Sequence, residues 1–382
     1  MTDRVPAEVF PPGEYLRDEL EARNWTQDEF AEIIGRSQRL VNEVISGKRG
    51  ITPSTAKELA AALGTSPYFW LNMEASYRLG KSDPAPDTIA RSARLRNRFP
   101  VRDMIKRGWI EASSNPDVLE ARVLKHFALN SIDESISFSH AARKTRSQEE
   151  RLTPTQWAWL FRVKQLAHAL RVPTYSAKGL RAALGELESL MQEPEEARHA
   201  PRILTDVGVR FLVVEPIPRS KIEGVCFWLE NKYPVVGLSM RLDRIDNFWF
   251  NLRHELEHVL NNDGKSVPIV DEPEDLSGAA DQSEEERLAN EAAAEFCVPQ
   301  LDMSDFVDRL DPAYSTERLI GFSRLMERHP GIVAGQLQKR TQRWDLFRRF
   351  QIKIRHIVTK TALTDGYGYT VQVGYGEDNG II

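Results

Sequence analysis

Residues 248–262 read FWFNLRHELEHVLNN, and within them His254, Glu255 and His258 spell H-E-x-x-H. On an α-helix, positions i and i+4 lie one turn apart on one face, so the two imidazoles can hold one metal ion between them. Glu255 directly follows His254, a position from which a carboxylate reaches a metal-bound water as general base. Phe248, Leu252, Leu256, Val259 and Leu260 recur at three- and four-residue steps and give the same helix a buried side. A third ligand is what separates such a site from the polar face of an ordinary helix.

The rest of the 382-residue chain sets the frame. That length suits two or three domains. A hydrophobic fraction of 41% and a charged fraction of 28% are those of a soluble globular protein. The sequence has no run of eighteen apolar residues and its start, MTDRVPAEVFPPGEYL, lacks the layout of a secretory signal, so the expectation is a cytoplasmic protein with no membrane partner. Cys226 and Cys297 stand far apart in apolar surroundings, which points to buried free thiols and leaves sulfur out of any metal site. A net charge of −5 argues against general coating of nucleic acid but says little about a local patch.

Residues 12–79 read as short helices with clear punctuation. Pro11, Pro12 and Gly13 precede a helix over residues 14–23. Thr26, with Glu29 three residues on, forms a capping box for a helix over 27–34, and Trp25 is placed as its hydrophobic staple. Gly35 ends that helix, Ser37 begins a second over 38–45, and Ser46-Gly47 closes it. Two short helices around a glycine-containing turn make a helix-turn-helix, with the second as recognition helix. Leu40, Val41, Val44 and Ile45 supply its buried side, leaving Gln38, Arg39 and Asn42 for base edges. Arg36, Arg39, Lys48 and Arg49 oppose the single acid Glu43 across this stretch, with Lys48 and Arg49 placed for phosphates.

The run TQDEFAEIIGRSQRLVNEVISGKRGITPSTAKELAAALGTSPYFWLNMEASYRL resembles the Xre/Cro-type helix-turn-helix, and within it the HigA-like antitoxin subgroup, where a similar FWLN segment follows the last helix. The resemblance covers nearly all of residues 12–79. It implies that Gln27 touches a phosphate, that Gln38, Arg39 and Asn42 read bases of double-stranded operator DNA, and that the protein is a homodimer.

Residues 80–88, GKSDPAPDT, form the best boundary. Beyond them Arg91, Arg94, Arg96, Arg98, Arg102, Lys106 and Arg107 face only Asp103, a pattern equally suited to a wider DNA footprint and to a helix beside an acidic surface. Residues 110–195 read as helices broken at KTRSQEERLTP, without a chemical motif, and His126, His140 and His168 read as surface or core residues.

Around Pro201 the pattern changes to VRFLVV (209–214), GVCFWL (224–229) and PVVGLS (234–239), short apolar segments expected to pair as a small antiparallel sheet. The order of sheet then metal helix puts the last strand near the metal, where an edge could pair with an extended peptide. A helix from about Ser283 to Cys297, SEEERLANEAAAEFC, offers the third ligand. Glu286 lies one turn before Asn290, which can steady the site through a hydrogen bond, and Glu284, Glu285 and Glu291 are rivals because spacing alone does not fix the helix phase.

From Val209 through Pro299 the chain resembles the ImmA/IrrE zinc metallopeptidases, whose H-E-x-x-H is followed by E-x-x-A-N-x-F-A-x-x-L-x-x-P. The resemblance makes Glu286 the third zinc ligand beside His254 and His258, with Glu255 as the catalytic base. The chain departs from the pattern at Ala292 and at Phe296-Cys297, which are packing positions. HPGIVAGQLQ matches the family's closing helices, which makes His329 structural.

The expected architecture is multidomain and mainly α, with an α+β C-terminal part: an all-α helix-turn-helix head (1–80), a helical linker region (81–200), a zincin-like metallopeptidase domain (201–345), and an extension (346–382) that is a hairpin or tail. The expected function is a transcriptional regulator whose Zn2+ endopeptidase cleaves a regulatory or repressor protein in stress, phage or toxin-antitoxin control. The alternative is a HigA-like antitoxin or repressor whose zinc domain binds or senses a partner without proteolysis.

Overall fold

Side-chain caps decide where the helices of the first unit begin. In the computed structural model, which describes residues 10–138, 152–271 and 283–372, the chain divides into two compact units at Ile89/Ala90. The first unit holds α1 (Pro12–Arg23), α2 (Gln27–Ile33), α3 (Gln38–Ile45), α4 (Pro53–Leu63) and α5 (Pro67–Lys81). Thr26 Oγ1 accepts from the Glu29 amide at 3.2 Å while the Glu29 carboxylate accepts from the Thr26 amide at 2.8 Å, so the capping box forms in full. Trp25 lies against Phe30 with ring centroids 6.3 Å apart, the predicted staple. Gly35 takes the left-handed φ of +66° that the turn before α3 requires. Leu16, Leu20, Phe30, Val41, Val44, Leu59 and Trp70 close one core, so the tryptophan of the FWLN segment packs rather than recognises.

The second unit is built in three layers. Its helices are α6 (Asp87–Arg98), which starts at the boundary, α7 (Val101–Lys106), α8 (Pro116–His126), α9 (Pro154–Ala169), α10 (Ala177–Ser189), α11 (Ala200–Asp206), α12 (Ile245–Asn261), α13 (Glu284–Cys297), α14 (Gln300–Leu310), α15 (Thr316–Leu325), α16 (Pro330–Thr341) and α17 (Arg355–Val358). The strands are β1 (Arg210–Val214), β2 (Gly224–Leu229), β3 (Tyr233–Leu238), β4 (Ile269–Asp271) and β5 (Leu363–Asp365), in the order β4-β2-β3-β1-β5. Side chains alternate across the sheet. Leu212, Val214, Val225, Phe227 and Val235 join a core with α6 to α9, whereas Phe211, Val213, Cys226, Trp228, Val236 and Leu238 join the opposite core with α10 to α12. Burial on both faces explains why the strands read as continuous apolar runs.

The sheet is mixed rather than wholly antiparallel. β2 pairs antiparallel with β3 and β4, but β1 runs parallel to β3 and to β5. The β2–β3 turn places Glu230 and Asn231 at φ of 52° and 56°, the geometry of a tight hairpin, whereas the chain passes from β1 over its neighbour β3 to reach β2. β3 is therefore interior, and the edge beside the histidine helix belongs to β4, which follows that helix in the chain. Residues 90–138 and 152–170, within the stretch read from sequence as linker, supply a whole layer of this unit. The extension after residue 346 adds β5 and α17, while residues 139–151, including His140, and the final residues 373–382 lie outside those described.

The far edge is pinned by a buried ion pair. Asp365 accepts from Arg162 Nε at 2.7 Å and from Trp109 Nε1 at 2.9 Å, and the side chains of the ion pair are 3% and 2% exposed. Replacing Asp365 by alanine leaves the guanidinium buried without its carboxylate, and loss of such a partner costs about 3–5 kcal/mol. Denaturant titration of the full chain, followed by tryptophan fluorescence, is expected to show the second transition shifted by that amount while the first unit unfolds unchanged.

Candidate metal centre and helix-turn-helix surface

Helix α12 carries His254, Glu255 and His258 into the interior. Phe248, Trp249, Leu252, Leu256 and Val259 anchor one side in the core, and the opposite side is covered in its turn, leaving His254 4%, Glu255 0% and His258 0% exposed. The chemical face is thus no more open than the packing face. Helix α13 lies along it, and the burial of Ala289, Ala293 and Cys297 fixes the helix phase that sequence left open. That phase turns Glu286 inward, and leaves Glu284 and Glu291 exposed, with Glu291 tied to Arg287 at 2.6 Å. Asn290 follows one turn beyond Glu286, half-buried.

The donor atoms converge. His254 Nε2 and His258 Nε2 are 3.1 Å apart, and the Glu286 carboxylate stands 3.3 Å from the first and 3.7 Å from the second. A fourth donor was not expected from sequence: Asp271, at the end of β4, places Oδ2 2.9 Å from His254 Nε2. All four ligand atoms lie within 4.8 Å of one another. His258 Nδ1 meets the Asp263 carboxylate at 3.1 Å, which directs its Nε2 lone pair toward the cluster. Two imidazoles and two carboxylates, brought this close, are the donor set of a borderline divalent ion such as zinc.

The electrostatics follow from burial and charge. Burial works to lower the His254 pKa, but the Asp271 and Glu286 carboxylates outweigh it and hold it at about 10. Burial would raise Asp271, and the adjacent imidazoles overcome it and bring the carboxyl below its ordinary value. Glu255 goes well above the carboxylate range, first through burial and then through the charge of Asp271. A hydrogen bond that Glu255 shares with Asp271 works in the same direction. Gly224, at the start of β2, leaves the room it needs, since a Cβ there would collide with Glu255 Oε1.

On the first unit, Gln38, Arg39, Asn42, Lys48 and Arg49 are exposed along and after α3, and Gln27 is half-buried at the start of α2. Glu43 holds Arg39 at 2.8 Å and Arg49 at 3.2 Å. Arg36 differs from the rest, because Glu58 grips it through two bonds of 3.0 and 2.6 Å and fixes the turn to α4. Three of the seven basic residues of the second unit's run are paired with acids: Arg91 with Glu120 and Asp117, Arg94 with Asp133, and Arg107 with Glu215. His126 is buried, with Nε2 3.1 Å from the Ala158 carbonyl oxygen and a pKa lowered to about 4 by burial. His329 caps α16, accepting from the Gly331 amide at 3.0 Å. Cys226 and Cys297 are free and buried.

Residues 16–70 match the helix-turn-helix family model, and residues 206–329, which hold His254, Glu255, His258, Asp271 and Glu286, match the model of the IrrE N-terminal-like domain, a peptidase family. The chain joins a helix-turn-helix domain to an IrrE-like domain. The helix-turn-helix-type transcriptional regulator YddM of Escherichia coli (strain K12) is 29% identical over 84 residues, 22% of this chain and 88% of that protein. Virulence-associated protein I of Dichelobacter nodosus is 33% identical over 79 residues, 20% of this chain and 73% of its own. Among solved structures, a HigA-family addiction module antidote protein from Coxiella burnetii is 32% identical over 19% of this chain and 82% of its own, with a TM-score of 0.19. The Pseudomonas aeruginosa antitoxin HigA, solved with the higBA promoter, gives the same 32%, 19%, 82% and 0.19. No helix among the described residues is long and apolar enough to cross a membrane.

Because His254 holds a proton up to about pH 10 in the metal-free IrrE-like domain, zinc must displace that proton to bind. Zinc affinity is therefore expected to rise by about tenfold per pH unit between about pH 6 and 8, read by competition with a chromogenic chelator. His254→Ala is expected to lose most of the affinity together with this dependence.

Proposed function

We propose that this chain is a cytoplasmic DNA-binding transcriptional regulator whose IrrE-like domain is a zinc-dependent endopeptidase directed at a regulatory or repressor protein. The observation that carries the reading is the convergence of His254, His258 and Glu286 beside Glu255, a fully buried acid. His254, His258 and Glu286 would hold the zinc. The ion, when bound, supplies Lewis acidity for a scissile carbonyl and an acidified water. Glu255 takes the proton of the attacking water and returns it to the leaving amine. Asp263 keeps the His258 ring oriented, and Asn290 steadies the Glu286 side of the site.

At the head, Gln38, Arg39 and Asn42 read base edges in the major groove, while Gln27, Lys48 and Arg49 meet phosphates of a double-stranded operator. Arg36, exposed and paired with Glu58, joins them at the phosphates. A symmetric operator would engage a homodimer. Asp271 gives specific support to a second reading, an antitoxin or repressor whose zinc domain binds a partner without turnover, because a fourth protein donor is the mark of a closed structural site.

Co-expression with the proteins of adjacent genes separates the two readings. Wild type is expected to give a cleavage product that Glu255→Gln reduces by at least about a hundredfold, with zinc content and DNA binding unchanged. Intact partners with both variants would refute the endopeptidase and favour the second reading. For the head, Gln38→Ala combined with Arg39→Ala is expected to weaken binding to the protein's own promoter by at least about tenfold in a mobility-shift titration. Equal binding by the double variant would remove α3 from base recognition.

A further inference from the structure

Three protein donors and one open position are the pattern of a catalytic zinc site, whereas four protein donors make a closed one. The IrrE-like domain presents four. Donors at about 2.0–2.1 Å from one ion in a tetrahedron stand about 3.3 Å from each other. His254 Nε2 stands 2.9 Å from Asp271 Oδ2, 3.1 Å from His258 Nε2 and 3.3 Å from Glu286 Oε2, close to that value, and the four donors together lie within 4.8 Å of one another. Asp271 is no bystander at the rim, since it is fully within the set of atoms that can share one ion.

We propose that Asp271 is a displaceable fourth ligand that occupies the open position of the zinc site and holds the peptidase closed at rest. This rests on the zinc reading above and specifies its regulation.

The element that carries Asp271 suits a latch. Strand β4 is three residues long, lies at the edge of the sheet and is only half-buried throughout. Among the described residues it pairs on one side, with β2, in the register Gly224↔Asp271, Val225↔Val270 and Cys226↔Ile269, with the Glu223 amide donating to the Asp271 carbonyl at 2.9 Å. His254, His258 and Glu286 instead stand on helices of seventeen and fourteen residues packed against each other. A ligand on a short edge strand moves at far lower cost than one on a packed helix.

The second sign is that Asp271 also reaches the general base, since its carboxyl group shares a hydrogen bond with Glu255. The general base therefore faces a carboxylate where a reacting water would have to sit. Any incoming donor must first take the place of Asp271, so zinc binding and peptidase competence are separable states of this domain.

The test uses the full chain loaded with Co2+ or Zn2+ and acetohydroxamate as the metal-seeking probe. In wild type the Co2+ visible spectrum is expected to stay unchanged on adding acetohydroxamate. In Asp271→Ala and in the near-isosteric Asp271→Asn it is expected to shift, with hydroxamate affinity at least about tenfold higher than in wild type. Zinc affinity is expected to fall by about tenfold in both variants, whereas His258→Ala removes the metal altogether. Equal hydroxamate binding by wild type and both variants would overturn the latch while leaving the zinc reading intact. Wild-type behaviour of Asp271→Asn alone would also overturn it, reducing Asp271 to a hydrogen-bond partner of His254. Loss of zinc from both Asp271 variants would make the residue a permanent ligand rather than a displaceable one. Failure of the wild type to bind either metal would instead refute the zinc reading itself.

Discussion

Two imidazole nitrogens 3.1 Å apart inside a protein, with carboxylates against both, demand a positive charge between them. That demand organises the second unit. α12 must be buried on every side, so it needs a sheet behind it and α13 across it. β2 must begin with a glycine because Glu255 fills the space a side chain at 224 would take. Glu223, the residue before, is held by Asn247 and Asn251 of α12 at 2.9 and 2.8 Å, which locks the start of β2 to the turns just ahead of the histidines. The three-layer packing is thus the means by which a polar cluster is kept dry and in register.

Much of this was legible because the signals are local. A capping box is written in four residues, and Thr26 to Glu29 formed it; H-E-x-x-H is written in five, and α12 carried it inward. The helix from Ser283 was announced by its cap and its alanines, and only its phase had to come from packing. What failed to show was set by long-range contact. Asp271 sits in a stretch rich in proline and acids that reads as loop, and a three-residue strand is too short to alternate. Nothing near Leu363 announces that β5 will pair with β1, since parallel partners are distant in sequence. The helices of residues 90–138 and 152–170 carry no chemical motif, so their role as the layer behind the sheet was invisible until the sheet's two faces could be told apart. Arg36 looked like its basic neighbours, and only the fold brought Glu58 to it.

The two units solve opposite problems with the same residue types. On α3 the polar side chains are exposed and the arginines are held by a single acid, Glu43, which positions them without burying them. Such exposed pairs contribute little to stability and separate readily for a phosphate. In the IrrE-like domain the charges are sealed from water, so each must have a partner or an ion. The first arrangement favours exchange of partners and the second favours permanence.

Permanence, however, need not depend on metal. Glu255, Asp271 and Glu286 cannot all be ionised in one dry pocket without a cation, and the metal-free site meets this with protons, retaining one on His254 up to about pH 10 and raising Glu255. The apolar layers on both faces of the sheet hold the backbone around this cluster. A short edge strand bearing one carboxylate is then the natural place for the remaining freedom, because it is the only donor not carried by a packed helix.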